Sequence, residues 1–395
     1  MVKCIRTGPL VEFGAAWKLF FGLLLSVSLQ IGVSGQTVPR PDHVVICVLE
    51  NHGYWSIVGS PYAPFINGLI GRSALLQEYY ALTHPSQPNY IMLYSGDAQG
   101  VSDDYLPSGT PWSTPNLGSA LLQNGFTFVG YSEDLPGQGA LDEVSGGYYR
   151  KHSPWVNWQG NGTNQLPIAC NQPFSAFPVD YHFLPDVSFV IPTVDHDMHD
   201  GTDPQRIQTG DDWVRDHLEA YIDWADQNNS LFILVFDEDD DLSQNHILCL
   251  FHGPMVQNGV YGTNGHHHYD LLRTLVDMYD LPDIGASAGA EPIDEIWQQA
   301  TSTSFNSTPG SNFVLWPNPG MTTQGFEISS ASGFRRGDVL IVRDGLSREL
   351  YRQTLDTDSK RLQVSSDALA LQTGLFFVEL WSGGSRLFTS KLVRH

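Results

Sequence analysis

The sequence predicts an α/β fold in which a mostly parallel sheet is covered by helices and is followed by a small C-terminal antiparallel β-sandwich. Two observations predict it. Continuous apolar runs alternate with segments that have helical spacing, and short alternating runs follow a Ser/Thr/Pro/Gly-rich stretch. We therefore divide the chain into residues 1–35, a main domain at 36–300, a linker at 301–311 and a β-rich domain at 312–395.

Residues 1–35 have the pattern of a secretory signal peptide. Basic residues precede an apolar run from Leu19 to Val33, and small residues follow it. A membrane anchor is the alternative, but the run is short for a membrane span and contains polar residues. We expect no integral membrane segment in the mature protein, and a location that is secreted or on the outer cell surface.

Several apolar runs in the main domain end in polar clusters, as strands buried on both faces of a parallel sheet do. They are His43–Leu49, Phe126–Tyr131, Val187–Ile191, Leu231–Phe236 and Ile247–Phe251. The segments Asp211–Asn228 and His268–Tyr279 have the apolar spacing of helices. Ligands of open α/β sheets bind at the carboxyl ends of the strands, and here carboxylates and histidines gather at those ends.

The chain is strongly acidic, with 43 Asp and Glu against 20 Lys and Arg, and a formal net charge of −23. Residues 36–311 hold 34 acidic and seven basic residues, whereas residues 312–395 hold eight acidic and ten basic ones. Such a body repels nucleic acid and anionic membranes at long range, so we expect no nucleic-acid partner. If the substrate is an anion, a bound cation must reverse the local field.

The cysteines leave one alternative open. Cys4 is lost with the signal peptide, and Cys47 and Cys249 lie in apolar runs that favour buried free thiols. A disulfide between Cys170 and Cys249 is also compatible with an extracytoplasmic location.

Two acidic clusters are candidate metal ligands. Glu50 and Asn51 follow the first apolar run, and Asp237 and Glu238 follow the fourth. Carboxylate and amide oxygens are the ligands that hard divalent cations prefer. The alternatives are a capped turn for the first pair and a charged surface turn for the second.

Ser86 is a candidate nucleophile. It follows a proline and opens a predicted helix over Pro88–Tyr94, so its hydroxyl would lie in the positive field of a helix N-terminus. A serine becomes a nucleophile when a metal or a base lowers its pKa. The alternative is an ordinary helix cap.

Histidines form two further clusters. His196 and His199 alternate with aspartates in the segment 195–201, where they could ligate a metal, donate a proton or contact phosphate. A solvated loop is the alternative. The run His266–His268 precedes the second predicted helix, and one of its rings could contact phosphate.

These motifs resemble those of the phosphoesterase family that joins bacterial acid phosphatases to non-specific, phosphatidylcholine-type phospholipases C. They run in the family's order over most of residues 43–282. The matching stretches are VVICVLENHGYWSIVG, LTHPSQPNYIMLYSG, YYRKHSPWVNW, VDHDMHDGTDP, ILVFDEDD and HHHYDLLRTLVDMYDLP. The resemblance implies an alkaline-phosphatase-like fold and hydrolysis of phosphate esters.

The resemblance also implies roles for individual residues. Glu50, Asn51, Asp237 and Glu238 stand at the family's metal ligands, and Ser86 stands at its nucleophile. The cofactor is then a divalent ion, with Ca, Mg, Mn and Zn all open. His199 and His196 stand at the histidines for phosphate contact and acid–base catalysis. The implied substrate-binding residues are Lys151, His152, Asn89 and His268.

The C-terminal part resembles a type IX secretion sorting domain. The resemblance rests on VLWPNPG at 314–320, GLFFVEL at 374–380 and the basic-flanked end at 391–394. It implies that the type IX secretion machinery is a partner and that the chain crosses an outer membrane. A carbohydrate- or surface-binding sandwich is the alternative.

Three functions follow as hypotheses. The first is a secreted, metal-dependent phosphomonoesterase of the acid phosphatase type that acts through a serine. The second is a phospholipase C that acts on phosphodiesters, although the chain lacks the long insertions of the large phospholipases, so its head-group pocket is undefined. The third is a non-catalytic, Ca-stabilised surface protein. The partner is a small phosphate ester or a phospholipid head group in the first two cases.

Overall fold

The computed structural model describes residues 38–298, 313–316, 326–344, 348–356, 358–364, 374–383 and 385–394. The predicted signal peptide at 1–35 and the predicted linker at 301–311 lie outside these residues. So do the residues 317–320 of the predicted sorting motif.

The main domain is built on an eight-stranded sheet with the strand order β11-β2-β10-β9-β1-β8-β4-β7. Its strands are β1 (His43–Leu49), β2 (Ala74–Leu76), β4 (Phe128–Ser132), β7 (Asn171–Pro173), β8 (Val187–Ile191), β9 (Ser230–Phe236), β10 (Cys249–His252) and β11 (Gly259–Tyr261). Every residue of the three central strands β9, β1 and β8 is buried, as their continuous apolar sequences predict.

The sheet is parallel except at one strand. β1 pairs in parallel with β8 and β9, and β4 does so with β7 and β8. β10 is antiparallel to both β9 and β2, because it follows β9 after a short loop without a crossover helix. The predicted α/β class and mostly parallel sheet are confirmed. The carboxyl ends of β1, β8 and β9 therefore meet at one edge.

Helices cover the sheet. They are α1 (Tyr54–Ile57), α2 (Pro64–Ile70), α3 (Ser86–Ser95), α4 (Leu117–Gln123), α5 (Gln205–Ala225) and α6 (His268–Met278). All ten residues of α3 are buried, and the helix ends at Gly96, which has the left-handed φ of 68° that a C-terminal glycine adopts readily. α6 begins with a capping box between His267 and Asp270.

Two small ribbons lie beside the main sheet. β3 (Tyr79–Tyr80) pairs with β12 (His266–His267), and β5 (Val144–Ser145) forms a hairpin with β6 (Tyr148–Tyr149). The second hairpin runs directly into 3₁₀ turns at Arg150–His152 and Pro154–Trp158.

The C-terminal part is antiparallel, as predicted. One sheet has the order β13-β14-β17 and the other β16-β15-β18-β19. Their strands are β13 (Phe313–Trp316), β14 (Phe326–Phe334), β15 (Val339–Asp344), β16 (Glu349–Thr354), β17 (Ser359–Val364), β18 (Gly374–Ser382) and β19 (Ser385–Arg394). Side chains of both sheets, including Ile328 and Val378, form one apolar core, so the two sheets pack as a sandwich.

The thiols of Cys47, Cys170 and Cys249 are all free and buried. A disulfide between Cys170 and Cys249, the alternative left open by the sequence, is therefore absent from the described residues. Within the described ranges, no helix combines the length and the hydrophobicity needed to cross a membrane.

We predict that His266→Gln destabilises the protein most at low pH. The Nε2 atom of His266 lies 2.9 Å from Glu295 Oε1, and despite burial its carboxylate neighbours raise its pKa from 6.5 to about 9. A raised histidine pKa stabilises the native state fully below 6.5, and this contribution is lost as the pH rises through about 9. Thermal unfolding should show a penalty of about 1–2 kcal/mol at pH 6 that fades by pH 10. A penalty that grows with pH would contradict the assignment.

Candidate active site

The Ser86 hydroxyl lies at the centre of an acidic ring. Its buried Oγ is 3.0 Å from Glu50 Oε2, 3.1 Å from Glu238 Oε1 and 3.4 Å from Asn51 Oδ1. A hydroxyl carries a single hydrogen, so it can donate to only one of these three oxygens at a time. The other two oxygens face its lone pairs. A cation bound among these oxygens would offset the repulsion between them.

The ring is assembled by the ends of two neighbouring strands. Glu50 and Asn51 follow β1, while Asp237 and Glu238 follow β9. Asn51 has a φ of 46°, which Asn tolerates better than most residues, and its backbone N–H donates to Asp237 Oδ1 at 3.2 Å. This bond joins the two strand ends and fixes the spacing between the two acidic pairs.

Burial makes the acidic groups resist ionisation. Burial, and next the charge of Asp237, raise the pKa of Glu50 well above its ordinary value. Burial, and next the charge of Glu238, do the same to Asp237, and burial raises the pKa of Glu238 to about 8. These three carboxyls cannot all be charged at neutral pH unless a positive group compensates them.

The donor set fits a divalent cation. Asp237 Oδ2 is buried and has no hydrogen-bond partner among the described residues. Glu50, His152 and Asp197 also offer ligand atoms that lie within 4.8 Å of one another. Oxygen-rich sets of this kind suit Mg²⁺, Ca²⁺ or Mn²⁺.

Two side chains of α3 hold carboxylates of the acidic ring by hydrogen bonds. Asn89 and Tyr90 lie three and four residues after Ser86, so they share its face of the helix. Asn89 Nδ2 donates to Glu238 Oε2 at 3.1 Å, and the Tyr90 hydroxyl donates to Glu50 Oε1. Asn89, predicted to bind substrate, thus contacts a carboxylate of the ring and orients it.

Lys151 brings a positive charge to this cluster. Its Nζ pairs with Asp104 Oδ2 at 2.7 Å. Although burial alone would lower the pKa of Lys151, the charges of Glu50 and Asp104 raise it above its ordinary value. The side chain therefore stays cationic at neutral pH, at the margin of an otherwise acidic site.

His152 is buried between two carboxylates. Its Nε2 lies 3.3 Å from Glu50 Oε1, and its Nδ1 lies 3.6 Å from Asp197 Oδ2. The ring also stacks on Tyr90 with centroids 5.2 Å apart. Burial, and next the charge of Lys151, lower the pKa of His152 well below its ordinary value. Asp197, which the sequence analysis did not single out as a site residue, also accepts the backbone N–H of His199 at 2.8 Å.

The two histidines of segment 195–201 have different surroundings. The ring of His199 lies 6.2 Å from that of His152, and its Nδ1 is 2.7 Å from Asp200 Oδ1. The contacts of the His196 ring are instead with Glu133 Oε2 at 2.9 Å and Thr193 Oγ1 at 3.0 Å. These contacts make His199 the better candidate for a catalytic role than His196.

A strained backbone separates these histidines. Met198 has a φ of 81°, an unusual value for a non-glycine residue that marks local strain. Its buried side chain lies against Gly210 of α5, where an added Cβ would come within 2.4 Å of Met198 Cγ. A glycine is therefore needed at position 210 to let the loop adopt this conformation.

His268, predicted to bind substrate, has both ring nitrogens engaged in the protein. Its Nε2 donates to the Asp237 carbonyl at 2.7 Å, so its Nδ1 accepts from the Tyr79 hydroxyl at 3.1 Å. Burial lowers its pKa to about 4, which keeps the ring neutral. These contacts position the strand end of Asp237 and leave no ring nitrogen for a substrate.

Besides Asp197, the sequence analysis missed two residues beside the site, His84 and Asp239. His84 Nδ1 lies 3.1 Å from Glu238 Oε2, and its Nε2 lies 2.9 Å from Asp239 Oδ1. The Asp239 carboxylate also accepts backbone N–H groups of Asp241, Ser243 and Asn245. Asp239 therefore shapes the loop, and the position of His84 two residues before Ser86 was the available signal.

Comparisons with known proteins find similarity to phosphoesterases. A family model described as "Phosphoesterase family" matches residues 60–282. A phosphatidylinositol-3-phosphatase of Mycobacterium tuberculosis is 44% identical over 270 residues, which cover 68% of this chain and 87% of that protein. A probable acid phosphatase of Kluyveromyces lactis is 28% identical over 65% of this chain, and an acid phosphatase of Aspergillus fumigatus is 27% identical over 55%. The chain spans 62% and 51% of the lengths of these two fungal proteins.

A solved structure also aligns with most of the chain. A protein of the alkaline phosphatase superfamily from Vibrio parahaemolyticus aligns with a TM-score of 0.46 at 13% sequence identity. The alignment covers 82% of this chain and 84% of that one.

We predict that a divalent ion raises the thermal stability of chelator-treated protein through the acidic ring. Binding to the folded state alone would add about 2.7 kcal/mol at an ion concentration one hundred times the Kd. The gain should shrink in Glu238→Gln, which removes one ring carboxylate, and stay unchanged in Glu219→Gln on the exposed face of α5. Calorimetric scans with Mg²⁺, Ca²⁺, Mn²⁺ and Zn²⁺ measure this gain in thermal stability for each variant. An equal gain in Glu238→Gln would contradict the location of the ion.

Proposed function

The chain belongs to the Phosphoesterase family and is a hydrolase that acts on phosphoric esters, and on that premise we propose that it is a metal-dependent serine phosphomonoesterase. The supporting observation is the buried Ser86 hydroxyl at the N-terminus of α3, with carboxylate and amide oxygens within 3.4 Å on several sides. A serine with only a capping role would accept a hydrogen bond from a backbone N–H of the first helical turn and would need no acidic groups around its hydroxyl.

The metal ligands in this proposal are Glu50, Asn51, Asp237 and Glu238. When bound, a divalent ion would lower the pKa of the Ser86 hydroxyl and neutralise part of the phosphate charge. The buried carboxylates fix the orientation of the serine, because Asn89 and Tyr90 each hold one of them by a hydrogen bond. The N-terminal dipole of α3 adds a favourable field for phosphoryl oxygens.

The chemical step uses Ser86 as the nucleophile. Its hydroxyl gives its proton to one of the carboxylates that accept its hydrogen bond, Glu50 or Glu238. Its Oγ then attacks phosphorus, the bond between phosphorus and the alcohol oxygen breaks, and a phosphoserine forms. Water then attacks the phosphoserine, and inorganic phosphate leaves. Lys151 supplies positive charge for the equatorial oxygens, and its pairing with Asp104 orients it.

His199 is our candidate for the general acid. Its side chain is 30% exposed whereas that of His152 is 1% exposed, so His199 is the one that an incoming ester can reach. Asp200 and the backbone bond to Asp197 orient it. His152 is neutral and is enclosed by Glu50 and Asp197. Its role in the proposal is to position the Glu50 carboxylate of the acidic ring.

A phosphate monoester is the substrate class that we infer. The relatives named above are phosphatases by their printed names, including one named for phosphatidylinositol 3-phosphate. A phospholipase C would hydrolyse phosphodiesters, and a non-catalytic surface protein would hydrolyse no ester. One panel of monoester and diester substrates therefore separates the three hypotheses.

We further propose export through the outer membrane, with the C-terminal sandwich as the sorting domain and residues 1–35 as a cleaved signal. The antiparallel sheets of the C-terminal part support this. β19 carries the basic-flanked end at 391–394 and pairs along β18, which contains the GLFFVEL segment.

We predict that Ser86→Ala abolishes hydrolysis of p-nitrophenyl phosphate, with a loss of about 10³-fold or more because the nucleophile is removed. EDTA should have the same effect on the wild-type chain, and an added divalent ion should reverse it. Ser95→Ala at the other end of α3 is the matched control and should keep its activity.

The same panel should show little turnover of p-nitrophenyl phosphorylcholine. Faster turnover of this diester than of the monoester would instead favour a phospholipase C. Activity that survives both EDTA and Ser86→Ala would refute the proposed mechanism. A folded, metal-loaded chain without any turnover would favour the surface-protein alternative.

We predict that His199→Asn slows the hydrolysis of alkyl phosphates by about 10²-fold but slows the hydrolysis of p-nitrophenyl phosphate much less. An alkoxide needs a proton to leave, whereas nitrophenolate leaves without one. His196→Asn is the control and should preserve the ratio of the two rates. Equal losses on both esters in His199→Asn would exclude the role of general acid.

A further inference from the structure

A cavity of about 220 Å³ opens beside the candidate active site. It lies between the loop 103–106 and the β5–β6 hairpin, and its walls include Gln87, Asp104, Leu106, Val144, Tyr149 and Lys151. Gln87 is the residue after Ser86, and Lys151 carries the positive charge next to the acidic ring. The cavity and the site thus share a wall.

The loop wall is attached to the nucleophile-bearing turn of α3. The backbone N–H of Gln87 donates to Asp104 Oδ1 at 3.0 Å, and its Nε2 donates to the carbonyl oxygens of Asp103 and Tyr105 at 2.8 Å each. The Gln87 side chain is buried. The cavity therefore keeps a fixed position relative to the Ser86 hydroxyl.

The lining of the cavity is mostly apolar. Leu106 of the loop and Val144 of the hairpin both line the cavity, and their side chains are 49% and 48% exposed, so they offer apolar surface to a ligand. The charges of the lining balance, because Lys151 pairs with Asp104 and the wall also holds one further acidic residue, Glu143, and one further basic residue, Arg150.

The cavity is open to solvent on one side, so its volume of about 220 Å³ indicates the size of the part of a ligand that it can enclose. An apolar cavity of about 150 Å³ accommodates benzene, so this one has room for a ring or a chain of about six carbons. The lining has no net charge, whereas the acidic surface of the chain disfavours an alcohol that carries further phosphate or carboxylate groups.

We propose that this cavity binds the alcohol part of the substrate and selects phosphate monoesters of uncharged, apolar alcohols of about six carbons. The inference rests on the proposed function, because it takes Ser86 as the atom that attacks phosphorus. The phosphate would lie at the Ser86 hydroxyl, and the apolar alcohol would extend past Lys151 between Leu106 and Val144.

The test compares n-hexyl phosphate with glycerol 2-phosphate, two alkyl esters that both need a proton on leaving. The wild-type chain should show a higher kcat/KM for the hexyl ester. Leu106→Asp and Val144→Asp should each lower that value by about tenfold, mainly through KM, and leave glycerol 2-phosphate within about twofold. Val179→Asp, which replaces a residue that is 98% exposed and outside the cavity lining, is the matched control.

A second measurement does not depend on catalysis. Calorimetric titration of the Ser86→Ala chain with n-hexyl phosphate should give tighter binding than titration with glycerol 2-phosphate, and adding Leu106→Asp should remove the difference. Equal effects of Leu106→Asp on both esters, or no effect on either, would overturn the cavity assignment. Loss of wild-type turnover on every ester would count against the proposed function, while the titration would still decide the cavity.

Discussion

The acidic ring around the Ser86 hydroxyl is the constraint on which the rest of the site depends. Glu50, Asp237 and Glu238 are buried together, and their mutual repulsion opposes folding unless protons or a cation compensate it. The surrounding contacts limit how far these groups can move apart. Asn89 and Tyr90 hold two of the carboxylates, and the Asn51 N–H holds the third. The folded state thereby loses stability, but the carboxylates around Ser86 are held in fixed positions.

The sheet explains how residues far apart in the chain reach one place. β1 lies between β8 and β9 and is parallel to both, so the residues that follow these strands meet at one edge. α3 then brings Ser86 to this edge, while the turn after the β5–β6 hairpin brings Lys151 and His152. The scaffold is apolar and rigid, and the chemistry lies in the loops at its carboxyl edge, as expected for open α/β sheets.

The sequence was most informative where chemistry follows directly on a strand. The runs at β1, β8 and β9 are continuous and apolar, so Glu50 and Asp237 could be assigned to strand ends from pattern alone. His152 follows a two-stranded hairpin and a 3₁₀ turn, which have no periodic signal, and its place came only from family resemblance. His196 and His199 could not be separated by spacing, because the positive φ of Met198 decides which ring faces His152. His268, predicted to bind substrate, instead has both ring nitrogens bonded to buried groups that are distant in the chain, which no local pattern predicts.

The most direct test of the account is the isolation of a phosphorylated Ser86. The full chain, loaded with a divalent ion, would be mixed with a fast-leaving phosphate ester, quenched in acid, digested and analysed by mass spectrometry. We expect one added phosphoryl group on the peptide that contains Ser86, and none in Ser86→Ala. A chain that turns over the ester while this peptide stays unmodified at every quench time, or that carries the phosphoryl group on a histidine, would contradict a serine nucleophile.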